Sequence, residues 1–220
     1  MRVVIAGGHG KIALMLEKLL TERGDSVAGL IRNPGQVDDL RAVGADAIVL
    51  DLESATVGEL TEQLDGADAV VFAAGAGPGS GIDRKATVDR DAAILLADAA
   101  EAAGVSRYLM VSAMGADRRQ PEEGSDPVFA AYLEAKAAAD DAVRGRQGLD
   151  STIVRPGLLT DETGTGRVRV AASTGRGSIP RADVAAILVA LLDAPTTGGV
   201  TFELISGDVA IADAVSDIGR

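Results

Sequence analysis

The sequence predicts an α/β protein built on a doubly wound parallel sheet, with helices on both faces and three layers, α/β/α. Three observations predict it. Short apolar runs alternate with segments of helical periodicity along the 220 residues. The runs are apolar at successive positions, as strands covered on both faces require. The first run passes through a glycine-rich turn, "AGGHGK" (6–11), straight into the first helical pattern.

In order, strands are predicted at 2–6 ("RVVIA"), 26–31 ("SVAGLI"), 46–50 ("DAIVL"), 68–73 ("DAVVFA"), 107–112 ("RYLMVS"), 151–156 ("STIVRP") and 201–206 ("TFELIS"). Helices are predicted at about 11–22, 35–43, 56–64, 85–103, 127–146 and 181–193, with a short last one near Ile211. Parallel neighbours need right-handed crossovers, and the intervening helices supply them. No repeat or linker divides the chain, so residues 1–220 are expected to form a single domain. Segments near 74–84, 113–126 and 157–180 follow predicted strand ends and are longer than ordinary strand-to-helix connections. Ligands bind at the C-terminal ends of strands in such sheets, so these segments are expected on the substrate side.

Composition excludes several functions. There is no cysteine, hence no disulfide, thiolate metal site or thiol catalysis, which suits a reducing cytosol. One histidine, His9, leaves no zinc site. A net charge of −12 repels phosphate backbones, so no nucleic-acid partner is expected. The small basic clusters "DRRQ" (117–120) and "RGRQG" (144–148) are read as solvated helix ends or loops. No apolar run nears the roughly 20 residues that span a bilayer, and the chain starts directly in a strand pattern. The expectation is a cytoplasmic protein with a small-molecule substrate and no membrane partner. The alanine-rich helices at 91–103 and 130–142 are compatible with self-association.

The loop contains Gly8-x-Gly10-x-x-Ala13 after a strand and at the start of a helix, the context of a Rossmann-type dinucleotide site. Small residues let the turn tighten and a pyrophosphate approach the helix N-terminus. Gly7, Gly8, His9, Gly10, Lys11 and Ile12 are therefore candidate cofactor-binding residues, with no chemistry assigned to His9. The second strand ends in "LIRNPGQ" with no carboxylate for a ribose 2′-hydroxyl. Arg32, helped by Asn33, is placed to grip a 2′-phosphate, so NADP(H) is preferred over NAD(H). Asp51 and Leu52, ending the third strand, would lie along the adenine. Ala73, Ala74 and Gly75, ending the fourth, would let the backbone pass the cofactor.

"YLEAK" sets Tyr132 and Lys136 at i and i+4 on one helix face. A free tyrosine titrates near pH 10, and a neighbouring ammonium is expected to lower that value and make the phenol a usable acid/base. Ser112, closing the fifth strand in "YLMVSAMG", is placed to hold the same substrate oxygen.

Together, "GGHGKIA", "IRNP", "LDLE", "FAAGAG", "RYLMVSAMGAD", "YLEAK", "LDSTIVRPGLLT" and "IPRADVAAILVALLD" resemble the short-chain dehydrogenase/reductase superfamily. The likeness is to its atypical single-domain branch, near NmrA-like and flavin/biliverdin reductase B-like proteins. Gly7-x-x-Gly10-x-x-Ala13 is the wider glycine spacing of that superfamily. The resemblance implies that Ser112 orients a carbonyl, Tyr132 is the acid/base, and Lys136 binds the nicotinamide ribose and lowers the tyrosine pKa. It implies that Val111, Pro156 and Gly157 border the nicotinamide. The asparagine of the superfamily's proton relay is replaced, with Asp89 standing in "ATVDRDAAILL".

The expected function is an NADP(H)-dependent oxidoreductase that moves hydride between the nicotinamide and a small carbonyl or quinone-like substrate. A non-catalytic NADP(H) sensor is the alternative. A sugar-nucleotide epimerase or dehydratase is the lesser one, because such relatives carry a larger C-terminal substrate domain.

Overall fold

Strands form where consecutive apolar residues can be buried on two sides. In β1 (Arg2–Ala6), Val3 and Ile5 enter one core cluster while Val4 and Ala6 enter another across the sheet. β2 (Ser26–Ile31), β3 (Asp46–Val49), β4 (Ala69–Phe72) and β5 (Arg107–Val111) divide their apolar side chains in the same way. Each fully buried leucine or isoleucine contributes about 1.5–3 kcal/mol through burial alone. The computed structural model describes residues 1–77, 79–117 and 126–218. Residues 118–120 of "DRRQ" and 118–125 of the predicted segment 113–126 lie outside the described residues, as does Pro78 within 74–84.

β6 (Asp150–Pro156), β7 (Leu158–Thr160), β8 (Arg167–Ala171), β9 (Ser178–Pro180), β10 (Thr201–Ser206) and β11 (Val209–Ala210) complete the strands. The main sheet runs β11-β8-β10-β6-β5-β4-β1-β2-β3. From β10 to β3 every pairing is parallel, with Val3 opposite both Val27 and Ala69 and Tyr108 opposite Ser151. β1 and β4 are adjacent, so the strand order reverses there and leaves a crevice at their C-terminal ends.

One face of the sheet is covered by α1 (Lys11–Arg23), α2 (Val37–Ala42), α7 (Arg181–Leu192) and α8 (Ile211–Asp217). The other is covered by α3 (Val57–Gln63), α5 (Ala92–Ala103) and α6 (Pro127–Arg144). The predicted three-layer α/β/α arrangement is therefore observed.

Two features depart from the sequence reading. The segment 157–180, read as irregular, carries β7, β8 and β9, and β8 pairs antiparallel with β10, Leu204 opposite Val170. The alternation of "RVRVA", with Val168 buried and Arg167 exposed, was its signal. The predicted helix 85–103 opens as α4 (Ile82–Arg84) and a π-helical turn (Lys85–Asp91), whose end is marked by the Ala92 N–H donating to Thr87 O. Wide turns of this kind recur at functional sites.

The basic side chains of "RGRQG" pair with carboxylates, Arg144 with Asp141 and Arg146 with Asp98 and Glu101. Tyr108 is buried, donates to Ala93 O at 2.9 Å and packs between β5 and α5. No helix among the described residues is long and apolar enough to cross a membrane.

Candidate functional site

The turn between β1 and α1 is held from both sides. Gly7 adopts φ +81, and a Cβ there would lie 2.6 Å from Ala74 Cα, so only glycine fits against the end of β4. A Cβ on Gly8 would lie 2.7 Å from Gly29 Cα, and the Gly8 N–H donates to Leu30 O at 3.0 Å. Gly10 caps α1 with no side-chain bond, and no acidic residue occupies the first turn. The helix therefore presents uncapped N–H groups and the positive end of its dipole.

Two clefts flank this helix end and meet at Ala73, Ala74 and Gly75. The first, about 310 Å³, has Gly7, His9, Gly10, Arg32, Asp51 and Leu52 on its wall. The second, about 480 Å³, has Ile12, Val111, Ser112, Tyr132 and Lys136. Gly8, Lys11, Asn33, Pro156 and Gly157 line neither. Each has another contact. Gly8 packs on Gly29, and Lys11 pairs with Asp161 at 2.5 Å. Asn33 accepts from the Gly35 N–H and caps a short 3-10 turn. Pro156 ends β6 opposite Leu204. Gly157 passes so close to Gly177 O that a Cβ would lie 2.3 Å from it. The helix end, the glycine cradle and the two joined clefts fit a dinucleotide, with the pyrophosphate at Gly7–Gly10 and one nucleoside in each cleft.

His9 is fixed by Asp39 and Gln36, at 2.8 and 2.9 Å. Arg32 reaches Glu53 at 3.1 Å, and Arg84 reaches the same carboxylate at 2.7 Å. Glu53 also accepts from Thr87 Oγ1 at 2.6 Å, and Arg84 and Thr87 hold its pKa below the ordinary carboxylate value. Asp51 uses Oδ1 to accept from the Glu53 N–H. The absence of a carboxylate at the end of β2 is thus offset in space by Glu53, which the sequence reading missed because it comes from the segment after β3.

In the second cleft, Lys136 is 3% exposed and donates to Ala74 O and Val111 O at 3.4 and 3.2 Å. Its ammonium lies 3.4 Å from Asp89 Oδ1 and 6.0 Å from the Tyr132 ring centroid. Burial lowers its pKa, with Asp89 and Asp140 opposing the shift. Asp89 is fully buried in the π-helical turn and accepts from the Ala76 N–H. Arg155 and Asp140 form a buried ion pair at 2.8 Å beside Ser112. Ser112 Oγ eases the burial of Asp140, whose pKa burial raises, but it closes no well-aligned hydrogen bond among the described residues.

Tyr132 corrects the expectation of a lowered pKa. Burial is the main cause of a marked rise, and the Asp89 and Asp140 carboxylates add to it. The phenol therefore holds its proton at neutral pH and is suited to donating one.

Lys85 is a further residue missed. It is 7% exposed, lines the second cleft, and sits 5.3 Å from the Tyr132 ring centroid. Its sequence signal was a lysine four residues before Asp89 in a predicted helix.

A family model described as NAD(P)H-binding matches residues 7–195. A Bacillus subtilis protein named "Uncharacterized sugar epimerase YhfK" is 37% identical over 219 residues, covering 99% of this chain and 100% of that one. A Bacillus halodurans structure, provisionally named an NAD-dependent epimerase/dehydratase, superposes with TM-score 0.89 at 38% identity, over 98% of this chain and 99% of that one. The Lactococcus lactis oxidoreductase ylbE superposes with TM-score 0.86 at 28% identity, over 99% and 96%. These neighbours match the resemblance drawn from the motifs. The chain belongs to the NAD(P)H-binding protein family.

Proposed function

We propose that the protein is an NADP(H)-dependent oxidoreductase of the atypical short-chain dehydrogenase/reductase type, reducing a small carbonyl or quinone-like molecule in the cytoplasm. The observation that carries this reading is the second cleft, where Ser112, Tyr132 and Lys136 share one wall that continues into the glycine cradle. When bound, the dinucleotide supplies a hydride to the carbonyl carbon. Ser112 Oγ, which lies beside Asp140 but has no well-aligned hydrogen bond among the described residues, would turn its proton to the carbonyl oxygen and orient it. The Tyr132 phenol gives its proton to that oxygen, which becomes a hydroxyl, and the phenolate regains a proton from solvent. Lys136 holds the wall together through Ala74 O, Val111 O and the Asp89 carboxylate, and would exchange one of these contacts for a ribose hydroxyl. The preference for NADP(H) rests on Arg32 and Arg84, two guanidiniums lining the first cleft that would exchange part of their pairing with Glu53 for a 2′-phosphate.

The test is NADPH consumption over a panel of quinones, aldehydes and ketones, with Tyr132→Phe beside the wild type. Reduction of an acceptor that the variant loses supports the reading. Tight NADPH binding without consumption in either protein overturns it and favours a redox sensor. The names of the two bacillar relatives favour a second reading, an epimerase or dehydratase. It requires turnover of a nucleotide sugar with no net NADPH consumption, and the same assay with product analysis separates the two.

A further inference from the structure

Lys85 has no part in the hydride-transfer scheme, yet it is as buried as the residues that do. Its ammonium donates to Gly77 O at 3.0 Å and faces the Tyr132 ring. No carboxylate among the described residues lies within ion-pair range of it. An ammonium has three donors, so two remain unspent among the described residues. Buried charges are normally paired, because leaving water uncompensated is costly.

The neighbouring groups sharpen the imbalance. Lys136 is close enough that Lys85 disfavours its charged form. Asp89, the buried carboxylate on this wall, lies against Lys136. Asp126, at the rim, is exposed and accepts from the Val128 N–H as the cap of α6. Three buried cations, Lys85, Lys136 and Arg155, are thus set beside two buried carboxylates, Asp89 and Asp140, inside a protein whose net charge is −12. General attraction of anions does not explain a cationic surplus placed there. The same cleft is also lined by the apolar side chains of Ile12, Val128, Phe129 and Leu159, and Phe129, 52% exposed, packs beside Tyr132 with ring centroids 6.0 Å apart.

We propose that Lys85 anchors a carboxylate of the molecule held in this cleft, beside the Tyr132 phenol, with the molecule's apolar body against Val128, Phe129 and Leu159. The substrate class is then a carboxylated aldehyde, ketone or quinone. A single ammonium is a compact point charge on a flexible stem and suits one singly charged group such as a carboxylate. This deepens the oxidoreductase reading and rests on it for the word substrate. The binding claim stands on the cleft alone.

The experiment is equilibrium calorimetry on the full chain saturated with NADP⁺. Carboxylated aldehydes, ketones and quinones, such as 4-carboxybenzaldehyde, are each titrated against their uncharged carboxamides. Wild type, Lys85→Met, Lys85→Gln and Lys85→Arg are compared, so that a poorly folded variant does not decide the outcome. The expected result is a preference for the carboxylate of about tenfold or more in the wild type, consistent with a charge-assisted bond. That preference should vanish in Lys85→Met and Lys85→Gln and partly return in Lys85→Arg, with NADP⁺ affinity unchanged within about twofold. Equal binding of acid and amide, no binding by any carboxylate, or a preference that survives in Lys85→Met overturns the proposal. So does a loss of NADP⁺ affinity as large as that of the ligand, which would make Lys85 a cofactor contact. A lysine-dependent carboxylate preference without any NADPH consumption leaves the anchor intact and removes only the oxidoreductase reading.

Discussion

Lys136 Nζ lies 3.4 Å from Asp89 Oδ1, and both side chains are buried. The ammonium that was expected to acidify Tyr132 is therefore partly neutralised by a carboxylate that also acts on the phenol, in the opposite direction. Asp89→Asn removes one of the charges that raise the tyrosine pKa and restores the residue type of the superfamily's relay. The reductive pH–rate profile should lose its alkaline limb earlier, by about one pH unit. An unmoved limb would mean that burial and Asp140 set the phenol without Asp89.

Tyr132→Phe keeps the ring against Lys85 and Phe129 and removes only the hydroxyl. With a working acceptor, kcat should fall by about 10²–10⁴-fold, while NADPH affinity, measured by fluorescence titration, stays near wild type. Because the phenol pKa is raised, the wild-type reduction rate should hold constant through neutral and mildly alkaline pH and fall only when the phenol ionises.

Arg32 and Arg84 share Glu53 in the first cleft. Replacing Arg32 with glutamine should weaken NADPH binding by about tenfold or more, the equivalent of one charge-assisted hydrogen bond, and leave NADH binding much less affected. Equal losses for the two cofactors would show that Arg32 contacts something other than a 2′-phosphate.

Glu17 of α1 is fully buried, neither carboxylate oxygen has a hydrogen-bond partner among the described residues, and burial pushes its pKa up to about 8. The folded protein keeps a proton there that the unfolded chain releases above about pH 4.5. Its contribution is therefore fully present below that pH and is lost as pH rises through about 8. Chemical denaturation should show wild-type stability falling, relative to Glu17→Gln, by up to about 1.4 kcal/mol per pH unit inside that window. A constant difference between the two proteins across the window would refute a titrating Glu17.

What was legible in the sequence was local. The turn from β1 to α1 declares itself because strand, glycines and helix are contiguous, and Tyr132 and Lys136 share a helix face by spacing alone. The parallel order followed from strands apolar on both sides. The sign of the Tyr132 shift depended on Asp89 and Asp140, which only folding brings close. Glu53 meets Arg32 and Arg84 across 21 and 31 residues of chain, a relation no periodicity reports. Lys85 sat inside an expected helix, and the π-helical turn holding it is invisible to a helical period. Only β8 was missed with its pattern in plain view.

The contact between Gly8 and Gly29 works as a caliper. It binds the loop proposed to cradle a pyrophosphate to the strand that ends at Ile31, one residue before Arg32, and the Gly8 N–H to Leu30 O bond locks the setting. The span from the glycine turn to Arg32 is thus fixed by the folded core before any nucleotide arrives. The cost of ordering that end of the site falls on folding and not on binding. A ligand carrying only half of the dinucleotide finds its own half of the gauge already set.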